Sequence, residues 1–386
     1  MFVEPGRREG AAYAERPEKM LPAGARLPSV CFVAPHAWPV LSGDRSVPVV
    51  GGAEVQQAIL ARMLASAGHR VSMITLDYGQ KDRTVVDSVR VKKTFRMDDG
   101  LPALRFLHPR ITSMWRALAE VDADIYYYRS AAMWVGVVAE FCRRRGKRLV
   151  YAGASDKDFD PDQGGQIRFA RDRWLFRRGV ERAHAIVAQN ERQRSACKAT
   201  YGRDALVIPS CYVPPRMGSS GKKDLVLWVG TLHENKRPQL LFELAQRLPQ
   251  RRFVMVGGPG PNPAFYEEMR SRAAAIPNLD FKGFLPLADV ERWFDRARVL
   301  VNTSTYEGMP NTFLQAWARG IPTVALVDVG APVHRAVSSI EELASEVETA
   351  FAGAERGNAC REYFERAHSK GGVLKQYQRL FKGLAA

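Results

Sequence analysis

Two short stretches carry residue types whose spacing suits chemistry on a phosphorylated ligand. The first, TYEGMPNTFLQ (305–315), sets a carboxylate, Glu307, directly before Gly308, Met309 and Pro310, and a helical run follows. A helix start exposes backbone N–H groups that lack intrahelical partners, and these favour an anion. Gly308 lets the backbone approach a ligand closely. Glu307 cannot serve that anion, because like charges repel; it suits neutral hydroxyls or a developing positive charge. Stabilisation of the helix dipole would account for Glu307 alone, but not for the glycine beside it. The second stretch, WVGTLHENKRP (228–238), sets Lys236 and Arg237 just before Pro238, a residue favoured at the first helical position. Such a pair suits a phosphate, and a solvated basic loop is the other reading. Weaker signals are the Gly-Gly helix start in VVGGAEVQQ (49–57) and the glycine-bearing segments MVGGPGP (255–261) and FKGF (281–284). Each of these also fits a plain turn.

Two patterns that resemble metal sites fail on context. DAD (122–124) lies just before a strand-like run, where a solvated strand start is the better reading. DKDFDPD (156–162) has calcium-loop spacing, but Pro161 stands where that loop needs glycine and Ile167 where it needs the closing Glu. No metal ligand is assigned.

The elements that must position these residues alternate regularly. SVCFVAP (29–35), HRVSMITL (69–76), DADIYYYR (122–129), KRLVYAG (147–153), AIVAQN (185–190) and ALVIPS (205–210) read as strands, with helical patterns such as 53–68 and 131–146 between them. Residues 213–224, rich in Pro, Gly, Ser and Lys, read as a linker. The alternation then restarts with LVLWVG (225–230), RFVMVGG (252–258), LDFKGF (279–284), VLVNTS (299–304) and PTVALV (322–327). The expected fold is α/β: two Rossmann-like, doubly wound parallel-sheet domains, 27–212 and 225–372, facing a cleft at their strand ends. Residues 1–26 are expected to be a mobile tail, with Met20 a second possible start. The last helical stretch, from 373, shows Leu374, Tyr377, Leu380 and Phe381 on one face.

Composition narrows the class. With 46% hydrophobic residues in 386, the chain can bury sizeable cores. No apolar run approaches the roughly 18 residues of a spanning helix. Five scattered cysteines, never in a CxxC pair, argue against a disulfide framework and point to a reducing cytoplasm. The formal charge of +16 implies anionic partners. No nucleic-acid motif accompanies it, so nucleic acid is not an expected partner.

The chain closely resembles the family 4 glycosyltransferases, which have the GT-B fold. The resemblance runs from about Ser29 to Leu384. It rests on GGAEVQQAILARMLASAGHRVSMIT, AIVAQNERQRSACKATYGRDALVIPS, LWVGTLHENKRPQLLFELAQRLPQRRFVMVGG and LVNTSTYEGMPNTFLQAWARGIPTVAL. It implies a retaining, metal-independent transfer of a sugar from a nucleotide diphosphate sugar, with UDP or GDP as carrier, to a sugar or lipid-linked hydroxyl acceptor. It implies no cofactor, a role in polysaccharide or glycolipid assembly, and a final helix (373–386) that crosses back to the first domain. By position, Glu307 matches the residue that contacts the donor sugar. Gly308, Met309, Pro310, Asn311 and Thr312 match the diphosphate-holding segment, and Lys236 the cation that neutralises it. Gly283 and Phe284 match the strand end near the nucleobase, and Gly52 the first-domain loop near donor and acceptor.

Departures from the family pattern are as informative. Gln315 replaces the second acidic residue, the usual ribose partner, which implies weakened or rearranged ribose binding. Thr231 stands where an arginine beside the diphosphate is common, with Arg237 as the offered substitute. The loop AGASDKDFD (152–160) lacks a customary histidine, and Asp156 or Asp158 would fill that role. LVDVGAPVHRA (326–336) is shorter than usual beside the donor pocket. These departures keep a second function open: a sugar-nucleotide-binding partner of another glycosyltransferase, itself catalytically impaired.

Residues 166–184 pack six arginines among Phe169, Trp174, Leu175 and Phe176. Two readings stay open: a surface helix whose aromatics face the core, and a basic amphipathic helix resting on an anionic membrane surface. The second would make the protein peripheral on the inner face of a membrane.

Overall fold

The computed structural model describes residues 26–44, 51–101, 106–160, 167–215, 223–353 and 355–386. The expected tail lies outside them apart from Arg26, and the expected linker is described only at 213–215 and 223–224. Of the expected Gly-Gly signal at 49–57, only Val49 and Val50 lie outside, as do 161–166.

Two sheets organise the chain. The first contains β1 (Val30–Val33), β2 (Val71–Thr75), β3 (Val85–Val86), β4 (Val89–Lys93), β5 (Ile125–Arg129), β6 (Arg148–Ala152), β7 (Ala185–Ala188) and β8 (Leu206–Val207), in the order β3-β4-β2-β1-β5-β6-β7-β8. The second contains β9 (Leu225–Val229), β10 (Arg252–Val256), β11 (Leu279–Phe281), β12 (Ala297–Asn302), β13 (Thr323–Ala325) and β14 (His334–Ala336), in the order β11-β10-β9-β12-β13-β14. Every pairing is parallel except β3 with β4.

Parallel strands covered on both faces must be apolar on both faces, and these are. In β1 all of Val30, Cys31, Phe32 and Val33 are buried, and successive residues feed cores on opposite sides of the sheet. The second sheet repeats this: Leu225 and Leu227 face one core, Val226 and Trp228 the other.

The helix Lys370–Ala385 returns to the first sheet. Val373, Tyr377 and Phe381 are buried in a core with β1, β5 and β6, and the Tyr377 and Tyr127 hydroxyls lie 3.2 Å apart. Arg148 Nε donates to the Leu384 carbonyl at 3.2 Å.

Outside this frame, the structure adds strands that the sequence pattern did not reveal. The β3–β4 hairpin turns through Asp87 and Ser88, both at positive φ (49° and 65°). Such a turn is usually announced by Asn-Gly or Asp-Gly, so Asp-Ser gives little warning. Both DAD aspartates are committed at the amino ends of the central strands β1, β5 and β6: Asp124 accepts from the Ser29 amide (2.8 Å) and hydroxyl (2.6 Å), and Asp122 pairs with Lys147.

Candidate active site

The order of the second sheet reverses between β9 and β12: one leads outward to β10 and β11, the other to β13 and β14. At such a switch point the loops leave in opposite directions and open a crevice at the carboxyl ends of the strands. Both chemistry-bearing stretches emerge here, Lys236 after β9 and Glu307 after β12.

They meet. Lys236 Nζ donates to Glu307 Oε1 at 2.5 Å, with side chains 26% and 13% exposed. The same oxygen accepts from Ser304 Oγ (2.6 Å) and Asn302 Nδ2 (3.1 Å). Oε2 has no hydrogen-bond partner among the described residues. One edge of the carboxylate is therefore fixed and the other is available to a ligand. The two loops are stitched beneath the pair: Thr303 Oγ1 donates to the Lys236 carbonyl (2.6 Å) and accepts from Trp228 Nε1 (3.0 Å). Thr305 N donates to the Asn235 carbonyl at 2.8 Å.

A cleft of 1090 Å³ runs between the lobes at this level. Of the expected site residues, Gly52, Thr231, Lys236, Phe284, Glu307, 308–312 and Gln315 line it; Arg237, Gly283 and Asp156 do not. Arg237 is the clearest correction. It sits at positive φ (44°) as the cap before helix Pro238–Arg247, and donates to the carbonyls of Thr303 (2.8 Å) and Ser304 (3.1 Å). Its guanidinium supports the Glu307 loop from behind and is not offered to a phosphate. Gly283 shapes the turn before Phe284, which does reach the cleft.

The loop 152–160 is also reassigned. Asp156 accepts from Gln193 Nε2 at 2.9 Å, away from the cleft. Asp158 is buried and accepts from the Ala154 and Ser155 amides at 2.7 and 3.3 Å, closing a capping box on the short helix Asp156–Phe159. Burial pushes its carboxyl up to about 6, against the pull of those hydrogen bonds and of Arg129. Neither aspartate reaches the cleft. None of 325–337 lines it either; His334 folds that short segment onto β13 through Thr323 Oγ1 (3.0 Å) and the Val327 carbonyl (2.8 Å).

The first lobe touches the site directly. Gln56 Nε2 donates to Asn311 Oδ1 (2.8 Å) and to the Cys211 carbonyl (2.8 Å), while Asn311 Nδ2 donates to the Gly52 carbonyl (3.0 Å). Lys157 Nζ lies 3.5 Å from the Tyr306 ring centroid. A Cβ at Gly308 would lie 2.6 Å from the Gln189 amide and 2.7 Å from the Ala154 carbonyl oxygen. In this structure the missing side chain at 308 admits the first lobe.

Pro310 has no N–H, so the donors of this segment are the amides of Gly308, Met309, Asn311 and Thr312, at the start of the buried helix Asn311–Trp317. A cation, an oriented carboxylate and amides with no hydrogen-bond partner among the described residues converge on a cleft closed from two sides. This arrangement can hold a diphosphate beside a hydroxyl-rich group.

Two parallel α/β lobes with this cleft between them make a GT-B fold. Residues 50–212 match the family described as Glycosyltransferase Family 4, and residues 223–354 match Glycosyl transferases group 1. The chain belongs to this family and is a glycosyltransferase. The D-inositol 3-phosphate glycosyltransferase of Jonesia denitrificans is 24% identical over 180 residues, 39% of this chain and 42% of that protein. The matched segment thus spans less than half of that relative. A phosphatidylinositol N-acetylglucosaminyltransferase subunit of Arabidopsis thaliana is 21% identical over 317 residues, 76% of this chain and 68% of that protein. Among solved structures, the sucrose-phosphate synthase of Thermosynechococcus elongatus superposes with a TM-score of 0.72 at 16% identity, over 92% of this chain and 99% of that one.

Residues that sequence reasoning missed are the ones whose role depends on distant partners. Asn302 and Ser304 steady Glu307, Gln56 joins the lobes, and Glu291 lies against Gln315. Glu291 left one weak trace, a carboxylate flanking the buried Val290 of helix Leu287–Arg296.

Proposed function

We propose that the chain transfers a sugar, with retention and without a metal, from a nucleotide diphosphate sugar to a hydroxyl acceptor. The observation that carries this reading is the Lys236–Glu307 contact at the switch point, beside the free amides of 308–312. The donor's diphosphate would lie on those amides and draw Lys236 toward it. Preorganised donors aimed at the leaving group stabilise charge as it develops, without reorganisation at the moment of reaction. Glu307, held by Asn302 and Ser304 on one oxygen, would orient sugar hydroxyls with the other. The bond between the anomeric carbon and the diphosphate oxygen breaks, and the acceptor oxygen attacks from the same face. The acceptor proton passes to the departing phosphate, so the products are the glycoside and the nucleoside diphosphate. The reading of retention rests on the family resemblance.

The acceptor side would belong to the first lobe. Phe169 and Trp174, just before and on helix Ala170–Arg182, are 56% and 61% exposed, while Phe176 of the same helix is buried. All six arginines at 168–182 are exposed, and Arg171 lies 3.4 Å from the Phe106 ring centroid, joining a segment that exposes Leu107. Exposed aromatics among arginines suit an anionic lipid surface and would bring a lipid-linked acceptor to the cleft. Among the described residues no helix is long and apolar enough to cross a membrane.

A thermal-shift screen against nucleotide sugars tests the core of this reading, because a bound donor raises the midpoint by mass action. A shift with one UDP- or GDP-sugar, followed by product formation, is the expected result. Binding without transfer to any hydroxyl acceptor would favour the impaired partner protein instead.

A further inference from the structure

Gln315 stands eight residues after Glu307, where the resemblance leads one to expect a carboxylate. The fold supplies a carboxylate at that place from another helix. Glu291, on Leu287–Arg296, accepts from Gln315 Nε2 through Oε1 at 2.9 Å. Its Oε2 accepts from the Tyr212 hydroxyl (2.8 Å) and from Arg319 Nη2 (2.7 Å). Glu291 and Gln315 both line the cleft, on the side that also carries Phe284, and the Glu291 side chain is 13% exposed.

Charge counting shows that this carboxylate is not used up. Arg319, 2% exposed, divides its guanidinium between Glu291 and Asp295, at 2.7 and 2.8 Å. Two carboxylates share the Arg319 guanidinium, so Glu291 has no cation of its own at the cleft wall. A phosphate would be repelled there, and a metal ion would meet the arginine. A neutral hydroxyl donor suits the site: each carboxylate oxygen accepts more than one hydrogen bond, and Oε1 has so far taken only that of Gln315. The amide oxygen of Gln315, which has no hydrogen-bond partner among the described residues, is a second acceptor beside it. Two adjacent acceptors, one of them charged, match a vicinal diol.

We infer that Glu291 is the residue that recognises the ribose diol of the donor nucleotide, with Gln315 as its neutral second arm and Tyr212 and Arg319 as positioning residues. The inference rests on the nucleotide-sugar reading of the cleft. It also accounts for the amide at 315: a carboxylate there would abut that of Glu291.

The test is isothermal titration of the full chain with uridine diphosphate, guanosine diphosphate and their 2′,3′-dideoxy forms. Hydrogen bonds to a charged acceptor predict that wild-type protein prefers a ribonucleotide to its dideoxy form by about tenfold or more. In Glu291→Gln the ratio falls toward one while affinity for the dideoxy form is kept. In Glu291→Gln/Gln315→Glu, which moves the charge across the hydrogen bond, the preference returns. If Glu291→Gln folds poorly, Glu291→Asp keeps the charge for Arg319 but withdraws the oxygens, and the ratio falls there instead. A wild-type ratio in a folded Glu291 variant overturns the inference alone. Wild-type protein that binds neither nucleotide overturns the nucleotide reading and this inference with it.

Discussion

Gly308 and Ala154 come from different lobes and meet so closely that a Cβ at 308 would lie 2.7 Å from the Ala154 carbonyl oxygen. Backbone against backbone cannot give way as a flexible side chain can. Gly308→Ala therefore holds the lobes apart. Turnover is expected to fall about tenfold or more, because misplacement of the acceptor lobe loses the near-attack geometry. Nucleotide affinity, which the proposal assigns to the second lobe, is expected to change little. Small-angle scattering of the variant should report a larger radius of gyration; an unchanged radius with wild-type turnover contradicts the prediction.

In the proposed reaction Glu307 would act at the sugar end. Glu307→Ala is expected to bind nucleoside diphosphate nearly as well as wild type and to lose roughly 10²- to 10³-fold in turnover, the scale of removing one preorganised electrostatic contact. Single-turnover kinetics with saturating donor separates this from a binding defect. Wild-type turnover in the variant would remove Glu307 from the reaction.

In the same proposal Lys236 would serve the diphosphate end. Lys236→Met is expected to weaken binding of the nucleoside diphosphate by about 10- to 150-fold, as for loss of a charged hydrogen bond, and to leave the nucleoside unaffected. Since Lys236 and the amides carry that charge in the proposed mechanism, wild-type turnover should persist in excess EDTA. Loss of turnover with recovery on adding magnesium would assign the charge to a metal.

Asp158 makes a pH prediction whose sign is worth working through. Burial raises its folded pKa from the ordinary 3.8 to about 6. Between those values the folded chain binds more protons here than the unfolded chain does. This contribution is therefore fully present below about pH 4 and is lost as the pH rises through about 6. A shift of that size is worth on the order of 3 kcal/mol. Urea unfolding of wild type and Asp158→Asn at pH 4 and pH 7 isolates it: the wild type should lose stability relative to the variant on going to pH 7.

The arginine-rich helix predicts co-sedimentation with anionic vesicles at low salt. Phe169→Ala/Trp174→Ala is expected to reduce the bound fraction without changing turnover on a soluble acceptor. Absence of wild-type binding at low salt removes the lipid surface from the proposal.

The frame was legible because parallel strands announce themselves: runs such as VCFV, IYYYR and LVLWV are buried on both faces and need no partner to identify them. Glu307 and Lys236 were legible because each sits beside a local oddity, a glycine and a proline at helix starts. What escaped depended on geometry between distant segments. Arg237 has the same local signature as Lys236, but one φ value turns its side chain to the carbonyls behind the loop. Gly308 was read as room for a ligand, and the neighbour it admits, Ala154, lies in the other lobe. Glu291 is 24 residues from Gln315 on a separate helix, and no periodicity links them.

The helix Lys370–Ala385 gives the chain an unusual order of assembly. Val373, Tyr377 and Phe381 complete a core whose other members lie mostly before residue 212, yet the ribosome makes them after the entire second lobe. The second lobe has its sheet and both cores within 212–364 and can close them as it emerges. The first lobe, although synthesised first, waits with part of one face of its sheet uncovered until Val373, Tyr377 and Phe381 arrive. In vectorial synthesis the first lobe is therefore the part that most needs protection from aggregation on the way.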